Sequence, residues 1–141
     1  MKAKIIMIVL MVFIGTIANL NAGPAYNLSG DWDAVITFGM PQSQRDTIKD
    51  VVRISQQGNQ FVGIKTIGGK WIGKNEELIK GKLSERKIED ACIRYCHDPI
   101  TFDLSWSDGK ATISEDGNEI VLHAFVPSAN TITTITLTRK Q

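Results

Sequence analysis

The side chains able to do chemistry are concentrated in Cys92-Ile93-Arg94-Tyr95-Cys96-His97-Asp98, which brings two thiols, an imidazole and a carboxylate together along the chain. That set suits three chemistries: a disulfide, a zinc centre through sulfur and nitrogen, or haem attachment. Each needs its own spacing. Haem attachment places two residues between the cysteines before the histidine, and here there are three. Zinc would need a further ligand such as His123, and the spacing fits no established zinc pattern. A chain with an export signal and only two cysteines is expected to oxidise them, so a Cys92–Cys96 disulfide is the expected pairing. Closing so short a loop contributes only about 2 kcal/mol, which pins a local turn rather than a fold.

Gly68-Gly69-Lys70-Trp71-Ile72-Gly73-Lys74-Asn75 comes near a phosphate-binding loop, but Asn75 stands where a magnesium-binding hydroxyl is required. Nucleophilic catalysis needs a base beside a serine or thiol, and the only histidines are His97 and His123. His123 alternates with Val121 and Phe125 as on a strand, while His97 precedes Asp98-Pro99, a turn sequence. Asp31 and Asp33 share one face of a strand, as solvent-side charges commonly do. No catalytic residue, cofactor or metal site is therefore expected, and the chain is not expected to be an enzyme. Asn27-Leu28-Ser29 is a glycosylation sequon, with meaning only in a eukaryotic source.

Lys2 and Lys4 are followed by an apolar run from Ile5 to Ile14 and then by small residues, the three-part pattern of a secretory signal peptide. Cleavage is expected after Ala22, with Ala18 as the alternative, leaving residues 23–141 as one domain. The apolar run is shorter than the ~20 residues a spanning helix needs, so no membrane span is expected after cleavage. The full chain of 141 residues has 16 bases and 15 acids, and losing Lys2 and Lys4 leaves a small negative balance. Such a chain has no field for nucleic acid. The expected location is secreted or periplasmic.

The elements that must position these residues are strands. Trp32, Ala34, Ile36 and Phe38 alternate with Asp31, Asp33 and Thr37, the pattern of a half-buried strand. Further strands are expected near Ile48–Gln56, Gln60–Ile67, Lys70–Lys74, Glu77–Leu83, Ile100–Trp106, Lys110–Ser114, Glu119–Phe125 and Thr131–Arg139. Gln57-Gly58-Asn59, Gly68-Gly69, Ser107-Asp108-Gly109 and Asp116-Gly117-Asn118 read as hairpin turns between them. From Ser84 to Tyr95 the period changes: Ile88, Cys92 and Tyr95 recur at helical spacing, so a short helix near 85–95 is expected. One helical turn would also bring the cysteines within bridging distance. The predicted fold is all-β, an antiparallel up-and-down barrel of about eight strands, with a sandwich as the less favoured arrangement.

Gly30-Asp31-Trp32 at one end and Thr138-Arg139 at the other resemble the opening and closing motifs of the lipocalin-like, or calycin, barrels, and Gly58-x-x-Phe61-x-Gly63 resembles an avidin hairpin. The resemblance runs from about Leu28 to Lys140. It implies that Arg139 packs on Trp32 to close one end of a cup, a cation–π contact in physical terms. It does not extend to biotin, because Ala34 and Phe38 occupy positions where avidins carry polar ligands, and the lipocalin Thr-Asp-Tyr motif is absent. The expected function is binding of a small hydrophobic or amphipathic molecule in an interior lined by Ile36, Phe38, Phe102 and Leu104. The alternative is a protein-interaction module or inhibitor acting through its loops on a protein partner.

Overall fold

Alternation of apolar and polar side chains gives each strand one face for a core, and eight such strands can hide all their inner faces only by rolling up. The structure is a computed structural model describing residues 25–39 and 46–141. It shows this solution: a closed barrel of β1 (Gly30–Gly39), β2 (Asp46–Gln57), β3 (Gln60–Lys65), β4 (Glu77–Ser84), β5 (Lys87–Asp98), β6 (Asp103–Ile113), β7 (Glu119–Val126) and β8 (Thr131–Arg139). Every neighbouring pair is antiparallel. The ring closes where β1 meets β8, with Trp32 opposite Arg139 and Phe38 opposite Thr133. The expected signal peptide, residues 1–22, lies outside the described residues.

The inward phase of β1 and β2 carries Trp32, Ala34, Ile36, Val52 and Ile54, which join Phe61, Ile79, Ile93, Ile120, Leu122, Ile135 and Leu137 in one buried cluster. Each large side chain fully removed from water stabilises the fold by roughly 1.5–3 kcal/mol before chain entropy is set against it. Alternate connections fall at opposite poles. The β3–β4, β5–β6 and β7–β8 connections share one pole, and the β2–β3, β4–β5 and β6–β7 turns share the other with segment 25–29.

Three local expectations are corrected. The helix near 85–95 is absent: those residues belong to the β4–β5 turn and to β5. Asp90 adopts a left-handed φ of 51°, and the β4–β5 register shifts between Lys80 and Lys82. This bulge puts buried Ile88 and Ala91 three positions apart, whereas Ala91 and Ile93 resume the period of two. Lys70–Lys74 is part of the long β3–β4 connection rather than a strand. Ser107-Asp108-Gly109 is no turn, because β6 runs through it. Gly109 is needed where β6 and β7 approach closely, since a Cβ there would sit 2.6 Å from the His123 carbonyl oxygen.

Candidate functional site

The two poles differ in construction. At one, the N-terminal segment crosses the barrel as a plug: Leu28 is fully buried, and its carbonyl accepts a 2.9 Å hydrogen bond from Trp32 Nε1. The Gln56 side chain completes the latch, accepting from Leu28 N at 2.7 Å and donating to the Tyr26 carbonyl at 3.2 Å. The Arg139 guanidinium lies 4.4 Å above the Trp32 ring and donates to the Asn27 carbonyl at 2.6 Å and the Ser29 carbonyl at 3.3 Å. Gly30 turns the chain from plug into β1 with a φ of 132°, a conformation that side chains resist.

The other pole opens into a cleft of about 380 Å3. Its wall is built from cross-strand pairs: Phe38 beside Thr133, and Val126 beside Thr131. The end of β5 adds Tyr95, Cys96 and His97, with the Tyr95 and His97 rings edge to face at 6.2 Å. Trp71 from the β3–β4 connection borders the cleft, as do Pro99 and Ala129. The lining is apolar and aromatic, interrupted by two threonine hydroxyls, a phenol, an imidazole and a thiol. That combination suits an apolar body carrying one or two polar groups.

The β3–β4 connection is held across this pole by a buried charge pair. Asp50 and Lys65 occupy inward positions on β2 and β3, where alternation calls for apolar residues. Lys65 Nζ lies 3.2 Å from Asp50 Oδ2, and the same carboxylate accepts from the backbone N–H groups of Val51, Ile67 and Gly68. Four donors around one carboxylate compensate its loss of water, and they fix the start of the loop that carries Trp71. Ile72 then turns inward and joins the core. Sequence reasoning missed both residues, although a charged side chain in the inward phase of two strands was a readable signal.

The other expected site residues are placed as follows. Phe38 lines the cleft, Ile36 lies in the packed core, and Leu104 is half-buried against that core without lining the cleft. Phe102 is 54 % exposed on the β5–β6 connection, outside the barrel, with its ring centroid 6.1 Å from that of Trp71. The expected disulfide is corrected: Cys92 and Cys96 are free thiols on one extended strand. Four strand residues span about 13 Å, beyond the ~7 Å between Cα atoms that a bridge tolerates. Burial, aided by a 3.4 Å hydrogen bond to Asp108, pushes the Cys92 thiol up from its ordinary value. His123 stands on the outer wall, 2.9 Å from the Thr134 hydroxyl. Asp31 and Asp33 are paired separately, with Arg53 at 2.7 Å and Lys140 at 3.5 Å. Trp106 faces outward beneath Lys80 and Arg94, whose charged groups lie 4.2 and 5.0 Å from its ring. Among the described residues no three His, Cys, Asp or Glu side chains are grouped to hold a metal ion.

These features define a class by architecture: an eight-stranded antiparallel barrel, plugged at one pole and open at the other, compatible with the calycin-like fold. No protein-family model matches the chain, and no curated protein matches it.

Proposed function

We propose that the protein is an exported, lipocalin-like carrier that holds a small hydrophobic or amphipathic molecule in the open-pole cleft and catalyses no reaction. The observation that carries this reading is the cleft itself. A space of about 380 Å3 bounded by Phe38, Trp71, Tyr95 and Val126 is large enough for a small organic molecule. Thr131, Thr133 and His97 supply polar partners that would orient its head group. Export is supported by the Lys2–Ile14 pattern, and the calycin assignment by the Trp32–Arg139 closure.

Native mass spectrometry of protein purified from its own host tests the reading. The expected result is a retained molecule of a few hundred daltons, displaceable by a dansylated fatty acid. Replacing Thr133 by Trp fills the cleft and should abolish uptake of that probe. Uptake unchanged by Thr133→Trp, or none in the unaltered protein, overturns the assignment.

A further inference from the structure

The connections at the open pole carry large apolar side chains that nothing among the described residues covers. Ile100 is 87 % exposed and Ile67 62 % exposed, and Trp71 and Phe102 are exposed beside them. Ile67 and Trp71 belong to the β3–β4 connection, Ile100 and Phe102 to the β5–β6 connection, and the 6.1 Å approach of the Trp71 and Phe102 rings joins the two into one tip. A monomer in water gains nothing from such a cluster, and grouped exposed hydrophobes mark an interaction surface.

The local structure holds these side chains outward. Asp98 accepts hydrogen bonds from the backbone N–H groups of Ile100 at 2.8 Å and Thr101 at 3.4 Å, winding Pro99–Phe102 into a tight turn. Phe102 has a φ of 58°, in the left-handed region that bulky residues avoid, and that strain is retained while its ring faces solvent. Core packing does not compensate for it.

Cations stand beside the apolar tip. Among the described residues, the β3–β4 connection holds Lys70 and Lys74 with Glu76, and Asp98 and Asp103 flank the uncharged turn 99–102. At the plugged pole, Glu85, Glu115 and Asp116 stand with Arg86, Arg139 and Lys140, so the two signs balance there. Lys70 Nζ lies 4.4 Å from the Trp71 ring centroid, so cation and indole share the tip.

The geometry points to a membrane-docking face: the Ile67, Trp71, Ile100 and Phe102 tip inserts shallowly into an anionic phospholipid bilayer, with Lys70 and Lys74 at the level of the head groups. Isoleucine and phenylalanine enter the acyl boundary, tryptophan sits at the interface, and lysine reaches back to phosphate. Among the described residues none of the exposed large hydrophobic side chains lies in the plugged-pole turns, so that pole is left facing water, which sets the orientation. The cleft opens between the same loops, so a docked barrel presents its mouth to the bilayer. The inference goes beyond the carrier reading and stands on the loop tips, so either can fail alone.

A chain starting at Gly23 keeps every contact described above and lacks the apolar leader that would itself bind lipid. It is sedimented with vesicles of phosphatidylcholine alone or mixed with phosphatidylglycerol. Binding is expected to the mixed vesicles and to fall about tenfold or more in the Ile67→Ser/Ile100→Ser variant, by the transfer free energy of two large aliphatic side chains. Lys70→Glu/Lys74→Glu should weaken binding to mixed vesicles and leave any binding to phosphatidylcholine alone unchanged. Neither serine position lines the cleft, so uptake of the dansylated fatty acid without vesicles should be unaffected by that variant and reports separately on the carrier reading. Absence of binding to both vesicle types, or equal binding by the serine variant, overturns the inference. So does a concentration-dependent dimer that the serine variant abolishes, which would assign the tip to a second copy of the chain.

Discussion

Arg139 joins three parts of the molecule at once: the Trp32 ring, the carbonyls of the plug, and the last position of the β1–β8 seam. Arg139→Ala removes a cation–π contact and two charge-assisted hydrogen bonds, so denaturant titration should find a loss of about 2–4 kcal/mol. Arg139→Lys should recover only part of it, because an ammonium cannot cover the ring and span both carbonyls. Surface carboxylates contribute to the acid limit. Hydrogen bonds from Ile100 hold Asp98 below its ordinary 3.8, the Ser114 hydroxyl does so for Asp116, and Arg53 does so for Asp31. A carboxyl with a depressed folded pKa contributes stability above its unfolded pKa and loses it as pH falls through the folded value. Melting temperature should therefore fall as pH drops below about 4, and Asp98→Asn should make that fall shallower. An acid limb unchanged by Asp98→Asn would remove Asp98 from this account.

At the scale of the element, β1 and β8 would be free margins in an open sheet and are interior strands here. Hydrogen exchange should find the Val35 and Thr136 amides as slow as those of β7, and rapid exchange at either would mean an open seam. In β5 the cysteines should titrate as two free thiols in the denatured protein, and Cys92→Ser/Cys96→Ser should leave the melting temperature nearly unchanged. The same strand shows what was legible in the sequence. Strict alternation revealed β1, β7 and β8, and the Gly30–Trp32 and Thr138–Arg139 motifs suggested how the ring closes. β5 was misread because Ile88, Cys92 and Tyr95 recur at spacings of four and three, as on a helix, whereas the Asp90 bulge inserts one residue and makes Ile88, Ala91 and Ile93 the buried set. β6 was divided in two because Gly109 looks identical in sequence whether it permits a turn or a close approach by β7. Of the site, Phe38 was legible from its alternation. Trp71, Tyr95 and His97 were not, because they meet only through loops and a bulge that place them at one pole.

For the whole molecule, a barrel solidly filled at one pole and hollow at the other separates stability from binding. The plug, the Trp32 layer and the central aliphatic layers stabilise the ring, so residues around the cleft can change with little effect on folding. A ligand that occupies the cleft binds the folded state alone and should stabilise it by about 2.7 kcal/mol at a hundredfold excess over Kd, so that the melting temperature rises with ligand concentration. Thr133→Trp should abolish that dependence while keeping the ligand-free melting temperature within a few degrees of the parent, since Thr133 is only half-buried. A loss of folding in that variant would instead place Thr133 within the stabilising layers.

The plug at 25–29 and the end of β8 emerge side by side at the pole opposite the cleft. A biotin handle, a fluorescent fusion or a sensor-chip linkage attached through Gln141 would thus hold the cup upright, its rim turned to the flowing sample. Immobilisation through that one residue gives a uniformly oriented layer with every mouth free.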